Sequence, residues 1–311
     1  SELYRAHPDW ALRIPGRGPV RGRNQLVLDF SRQDVKEYIF DRICAVLDQG
    51  NIEYVKWDMN RSITDVYSGE NCQGRVLYDY MVGVYDFLER LTSRYPHILI
   101  EGCSGGGGRF DAGMLYYTPQ IWCSDNTDAA DRLRIQYGTS FFYPVSAVGS
   151  HVSAVPNHQT GRITSLHTRG VVAMAGTFGY ELDPGKLTEE EKAEIREQVK
   201  AYKRAASLIQ TGDYYRLSDP FRDTCAAWAF VSENRDRVLL NAVMTEIHGN
   251  MPVSYVRLKG LESETLYRDT KTGETYYGSA LMRAGLPIPG GMGEYRAYQA
   301  ELEMCSQKRF R

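Results

Sequence analysis

A chain of 311 residues is long for one domain and suits one large domain or two ordinary ones. Apolar residues at 42% and charged ones at 24% are ordinary for a globular protein; a net charge of -2, with acids and bases intermixed, supplies neither a basic stripe for nucleic acid nor a polybasic patch for a membrane. No window approaches the about 18 apolar residues of a membrane helix and the N-terminus has no signal-peptide core, so a soluble, cytoplasmic protein with no membrane and no nucleic-acid partner is expected.

The opening residues, Ser1 to Pro8, lack an initiator Met and read as a loop inside a longer chain. Leu26 to Asp29 is a short apolar run that predicts a strand. Ser31 follows as an N-cap to an amphipathic helix marked by Val35, Ile39, Ile43, Val46 and Leu47 and closed by Gly50. The pattern then repeats: Ile52 to Trp57 predicts a strand, Leu77, Met81, Val84, Leu88 and Leu91 a helix, Ile98 to Ile100 a strand, and Ile121 to Cys123 another. Strands alternating with helices at this spacing imply parallel strands joined by crossover helices, an α/β sheet or barrel.

Thr188 to Gln210 predicts the clearest helix, since Thr188 and Glu191 form a capping box and Gly212 supplies the stop. Beyond it the grammar changes to strands at Cys225 to Val231, Arg237 to Met244, Val253 to Leu258, Leu266 to Asp269, Glu274 to Tyr277 and Tyr295 to Leu302, with turns at Glu233 to Asp236 and Lys271 to Gly273. A boundary near Asp213 therefore divides an α/β domain, residues 1–212, from an antiparallel β domain, residues 213–311.

Each predicted strand of the first part ends in reactive side chains: Asp29, then Lys56-Trp57-Asp58, then Glu101 and Cys103, then Ser124-Asp125. In a parallel barrel those C-terminal ends converge on one face, where active sites sit; for any single Asp, capping the following helix is the plainer reading. Lys56 shares a strand face with Asp58 and could hold it ionised or bind substrate hydroxyls, which suits a nucleophile. An apolar strand end beside Asp125 favours the neutral acid that general-acid catalysis needs. Two carboxylates in unlike surroundings are what glycoside hydrolysis requires. Asp128 rivals Asp125, though it also suits the first turn of a following helix.

Other readings remain open. Gly105 to Gly108 lacks the Lys-Ser/Thr of a phosphate loop. Gly102-Cys-Ser104-Gly-Gly106 matches a nucleophile elbow, but Gly-Gly-Gly-Arg is a poor start for the helix an elbow needs. His151, His158 and His167 lack the spacing and acidic companion of a helical zinc motif, and the six cysteines are scattered without metal or disulfide spacing, so reduced thiols and no metal are expected.

Three segments carry a family resemblance: Tyr54-Val-Lys-Trp-Asp-Met-Asn-Arg61, Glu101-Gly-Cys-Ser-Gly-Gly-Gly-Gly-Arg-Phe-Asp111 and Ile121-Trp-Cys-Ser-Asp-Asn-Thr-Asp128 resemble, in order, successive active-site strands of the α-galactosidases of glycoside hydrolase family 36. Further matches at Leu3 to Trp10, Gly22 to Asp29 and Gly149 to Asn157 extend it from the first residue through the helix ending at Gln210, and the β region beyond fits the family's C-terminal domain with weaker motifs. The resemblance implies the C-terminal portion of a (β/α)8 TIM barrel followed by an antiparallel β-sandwich domain. It also implies a retaining exo-α-galactosidase acting on galactooligosaccharides such as raffinose or melibiose, with Asp58 as nucleophile and Asp125 as acid/base. Arg23, Lys56, Cys103, Ser104, Gly105 and Gly106 match galactose-binding positions, Asn60 one close to the sugar, and Trp57 a pocket wall. No cofactor is implied, and a homo-oligomer, a tetramer, is implied for the full-length protein. Family members also carry an N-terminal β domain and three earlier barrel strands that do not occur here, so the sequence is expected to be a fragment. An α-N-acetylgalactosaminidase, a transglycosylase and a catalytically incomplete galactoside-binding piece stand as the alternatives.

Overall fold

The structure, a computed structural model, describes residues 1–69, 72–250, 253–290 and 293–305. These residues form two compact units, Ser1–Asp125 and Asn126–Arg311.

The first unit opens with α1 (Glu2–Ala6), so the expected loop is a helical turn, capped by the Ser1 hydroxyl accepting from the Tyr4 amide at 3.2 Å. The strand expected at Leu26 to Asp29 is reduced to one bridge, Ala11 with Leu28, flanked by two backbone hydrogen bonds (Leu12 N to Val27 O, Asp29 N to Trp10 O). Helix α2 (Gln33–Leu47) starts at Arg32, which offers no side-chain cap. Ser31 instead donates its hydroxyl to Asp29, and the helix closes at Asp48, before Gly50. Its buried stripe is Val35, Lys36, Phe40, Cys44 and Leu47, which turns Val46 outward. Strand β1 (Tyr54–Asp58), α3 (Val76–Arg94), β2 (Leu99–Cys103), α4 (Ala112–Tyr117) and β3 (Gln120–Ile121) follow. The three strands form one parallel sheet in the order β1-β2-β3, as strands joined through helices must. Its core joins Val35, Phe40, Phe87, Leu88, Leu91, Ile100, Met114 and Ile121.

The second unit contains α5 (Ala129–Thr139), β4 (Gly149–Ser153), α6 (Leu166–Ala173), β5 (Thr177–Glu181) and α7 (Glu189–Thr211). Strands β4 and β5 pair in parallel across α6. The capping box at Thr188 and Glu191 forms as the spacing predicts. Gly212 ends α7 with φ -77, outside the left-handed region; a side chain there would meet Leu208 O at 2.5 Å and Val231 O at 2.8 Å, so close approach rather than turn geometry calls for glycine.

Strands β6 (Asp213–Arg216), β7 (Cys225–Val231), β8 (Arg237–Met244), β9 (Ser254–Val256), β10 (Leu266–Asp269) and β11 (Thr275–Tyr277) come next, then α8 (Gly278–Arg283), β12 (Leu286–Ile288) and β13 (Arg296–Met304). Six of them make an antiparallel sheet, β11-β10-β13-β8-β7-β6. Trp228, Phe230, Leu239 and Val243 on one face join Leu133, Val172, Leu208 and Ile209 from the helices. Ala227, Ala229, Leu240 and Ala242 on the other join Val256, Leu286 and Ile288 of the β9–β12 pair. Both faces of β7 and β8 are thus covered, which accounts for the unbroken apolar run of β7 and for a run in β8 interrupted only by Asn241, whose oxygen accepts from the Gln299 amide at 2.7 Å.

Candidate active site

The sheet register aligns the first unit's polar groups in two rows. In β1 and β2, Lys56 lies opposite Glu101 and Asp58 opposite Cys103, while Glu101 lies opposite Gln120 of β3. Partners in a parallel ladder point to the same face, so Lys56, Glu101 and Gln120 form one row and Asp58 and Cys103 the next, at the C-terminal edge of the sheet.

The lower row is a closed network. Glu101 is fully buried; one oxygen accepts from the Tyr54 hydroxyl at 2.6 Å and from the Gln120 amide, and the other lies 3.3 Å from the Lys56 ammonium, a charge contact. Lys56 also sits 5.0 Å from the centre of the Trp122 ring, within cation–π range. The partner of Lys56 is therefore Glu101, where Asp58 was expected, because the register sets Lys56 beside Glu101 in the next strand. The Lys56 side chain remains about one-third exposed.

In the upper row Asp58 is exposed and accepts a hydrogen bond from the Asn60 amide. The Asn60 oxygen accepts from the Gly105 amide at 3.0 Å, so one side chain ties the carboxylate to the glycine turn. Burial pushes the Cys103 thiol up to about 11, with the Gly106 amide partly offsetting it and a hydrogen bond to Asp58 adding to it. At neutral pH Cys103 is thus a protonated donor facing Asp58. Trp57 points to the opposite face, its ring 5.4 Å from Phe87 of α3, and lines a hollow together with Asp58, Met59, Arg61, Tyr80 and Arg109.

The glycine run explains how the Asp125 segment is placed. Gly105 and Gly106 have φ +53 and +81, the left-handed region glycine enters without cost. A β-carbon on Gly106 would lie 2.7 Å from Ser124 Cα and 2.9 Å from the Asp125 amide nitrogen; one on Gly107 would lie 2.6 Å from Cys123 O. The turn after β2 therefore packs backbone on backbone against residues 123–125, which continue from β3 through the Trp122 amide bonded to Gly102 O at 2.9 Å. Ser104 donates its hydroxyl to Met59 O at 2.7 Å, and the next helix begins only at Ala112. No strand–turn–helix elbow forms, and Ser104 is a tie between strand ends. Asp125 is exposed, so these residues do not bury it in the apolar setting expected of it.

Arg23 stands on a tight turn in which Gln25 donates to Gly22 O at 2.9 Å, with Arg23 and Asn24 at φ 50 and 59. Its side chain is exposed. Arg61 fastens this turn to the end of β1 by donating to Val20 O at 2.6 Å and packing on Gly22. Two other strand-end acids are structural. Asp29 accepts from the Ser31 and Ser68 hydroxyls. Asp128 is the N-cap of α5 rather than a first-turn residue, accepting from the Ala130 and Asp131 amides and from Thr160 and Arg162. Burial opposes its ionisation, but those donors outweigh it and hold its carboxyl below the usual range. No group of three or more His, Cys, Asp or Glu side chains able to hold a metal ion occurs among the described residues.

Arg109 and Arg61 were not foreseen as part of this region. Arg109 donates to Cys103 O at 2.9 Å and approaches Trp57 O at 3.5 Å. In the sequence it stands inside the Glu101-to-Asp111 motif as a cation six residues beyond a strand end, with nothing to mark its contacts.

The family model for Melibiase matches residues 1–212, and the one for the glycosyl hydrolase family 36 C-terminal domain matches residues 225–302. The bifunctional alpha-galactosidase/sucrose kinase AgaSK of Mediterraneibacter gnavus is 64% identical over 299 residues, 96% of this chain and 31% of its own length. Alpha-galactosidase AgaA of Geobacillus stearothermophilus is 52% identical over 310 residues, 99% of this chain and 42% of its own. The solved galactosidase domain of AgaSK superposes with a TM-score of 0.95 at 63% identity, over 98% of this chain and 42% of that one. A substituted form of AgaA in complex with raffinose gives 0.95 at 52% identity, over 98% and 43%. The chain thus spans less than half the length of these relatives. Matched by both family models, it belongs to the melibiases of glycoside hydrolase family 36.

Proposed function

We propose that the protein carrying this chain is a retaining exo-α-galactosidase that releases terminal galactose from oligosaccharides such as raffinose or melibiose, with Asp58 as nucleophile and Asp125 as acid/base. The observation that carries this reading is the placement of two exposed carboxylates at the C-terminal edge of one parallel sheet, on either side of a glycine turn packed against the Asp125 backbone. Asp128, the rival, has its oxygens occupied by the α5 cap and by Arg162 and Thr160. Raffinose and stachyose complexes of substituted forms of AgaA support the substrate class.

In the first displacement an Asp58 oxygen attacks the anomeric carbon, the bond to the leaving oxygen breaks, and Asp125 passes its proton to that oxygen. In the second, Asp125 as carboxylate takes a proton from water, whose oxygen attacks the same carbon and frees Asp58. Two inversions give retention. Lys56, Cys103 and the Ser104 to Gly106 turn hold the sugar hydroxyls, with Arg23 reaching in from its turn, Asn60 aligning Asp58, and Trp57 supporting the strand from behind. Residues 1–212 supply the C-terminal portion of a (β/α)8 barrel and 213–311 a β-sandwich domain, in a cytoplasmic homo-oligomer.

The test is release of nitrophenol from p-nitrophenyl α-galactoside by the full-length protein, with NMR of the first galactose anomer formed. The reading predicts α-galactose first and loss of turnover in Asp58→Asn. β-Galactose first, or an Asp58→Asn variant as active as the parent, overturns it.

A further inference from the structure

Arg109 brings a charge into the interior beneath the strand ends. The residue is largely desolvated, and burial presses its pKa down from the ordinary arginine value. Nearby Tyr80, Asp58 and Asp111 favour its charge without forming a close ion pair among the described residues, and its Nε is buried without a hydrogen-bond partner. A partly desolvated cation without an ion-pair partner is costly, so the surroundings must offset it by other means. What the guanidinium touches is backbone: Cys103 O at 2.9 Å and Trp57 O at 3.5 Å, with Met59 Sδ at 3.9 Å. Trp57 O belongs to the peptide that leads into Asp58, and Cys103 is the register partner of Asp58 in β2. Arg109 also lines the same hollow as Asp58.

We propose that Arg109 is a positioning residue for the Asp58 nucleophile, bridging the peptide before Asp58 to the carbonyl of its partner Cys103 and so fixing the distance and twist between the ends of β1 and β2. Other ties cross the same seam: Met59 N to Cys103 O at 3.1 Å, Ser104 Oγ to Met59 O at 2.7 Å, Gly105 N to Asn60 Oδ1 at 3.0 Å, the Cys103–Asp58 hydrogen bond and, one row below, the Lys56–Glu101 contact at 3.3 Å. Arg109 meets backbone carbonyls of both strands with a planar, multiply donating group, which lysine cannot imitate. The role rests on Asp58 being the nucleophile. A shift of about 1 Å at a reacting atom lowers a rate by roughly 100-fold, and Arg109 holds the backbone from which Asp58 projects.

The test uses the full-length protein with Arg109→Met and Arg109→Lys, and Asp58→Asn as reference. Galactose affinity is measured by calorimetry, and attack on the anomeric carbon by the rate of covalent labelling with a fluorinated α-galactoside inactivator. Both Arg109 variants are expected to bind galactose within about threefold of the parent while labelling and kcat fall together, roughly 100-fold for Met and at least tenfold for Lys. A purely structural residue would lower folded yield or binding without that split. The proposal is overturned if folded Arg109→Lys labels at the parental rate, if binding and labelling fall in parallel, or if neither variant folds. If the parent itself carries no label at Asp58, the nucleophile reading fails instead, and the two failures are thereby distinguished.

Discussion

Replacing Gly106 by alanine should separate the acid/base from the nucleophile. At φ +81 an alanine costs about 1–2 kcal/mol in backbone strain, and overpacking adds about 1–3 kcal/mol. The new β-carbon would lie 2.7 Å from Ser124 Cα. Ordinary carbon contact begins near about 3.5 Å, so the Ser124–Asp125 backbone must retreat by roughly 0.8 Å. A displacement of that size at a general acid is expected to cost roughly 10- to 100-fold in rate. The loss should depend on the leaving group, because nitrophenolate departs with little protonation whereas the sugar oxygen of raffinose requires it. The assay compares kcat/KM, which reports the galactosylation step, on p-nitrophenyl α-galactoside and raffinose. Gly105→Ala is the control: it carries a similar strain at φ +53, but its β-carbon meets only Asn60 Oδ1 at 4.0 Å. The account predicts a larger loss on raffinose for Gly106→Ala and no such difference for Gly105→Ala. Equal losses on both substrates in a folded Gly106→Ala variant would refute the placement of Asp125 as the acid.

Other expectations follow from burial. Tyr267 is fully buried and its hydroxyl both donates to Arg235 O at 2.8 Å and accepts from Glu262 N at 3.0 Å; Tyr267→Phe leaves both groups unpaired and should cost about 1–3 kcal/mol in urea unfolding, whereas a change below about 0.5 kcal/mol would contradict this anchor. Burial raises the thiols of Cys103 and Cys225 from about 9 to about 11, so the folded form holds its protons longer than the unfolded one and stability should fall as pH rises from 9 to 11. Replacing both cysteines by alanine should flatten that part of the denaturation curve. The same shifts predict that exposed Cys72 reacts with iodoacetamide at pH 8 well before Cys103, which peptide mapping can check.

The parts of the fold legible in the sequence are those with one dominant signal. Strands β7, β8 and β10 fall where apolar runs between turn residues place them, and α7 where its capping box begins. Strand β12 has only three residues, and in β4 Gly149-Ser-His-Val-Ser153 lacks both alternation and an apolar run, so nothing local announces them. For α2 the helix and most of its apolar stripe were legible, since Val35 and Leu47 are buried and Ile39 and Ile43 pack on the core, but its cap and the exposure of Val46 were not, Ser31 being drawn to Asp29. In the candidate site, Asp58, Cys103 and Asp125 could be grouped in advance because parallel strands deliver their C-terminal ends to one edge. Which acid is merely structural could not: Asp29, Glu101 and Asp128 look the same in sequence and differ only in the partners that register and loop return give them. Arg109 was hidden for the same reason, since its role exists only once the glycine turn folds it back over Trp57 and Cys103.

The most direct test of the central claim is to trap the glycosyl-enzyme in the full-length protein with a fluorinated α-galactoside and locate the label by peptide mass mapping. The account predicts one galactosyl ester on Asp58, absent from Asp58→Asn. An ester on Asp125, on Asp128 or on any other residue would contradict it.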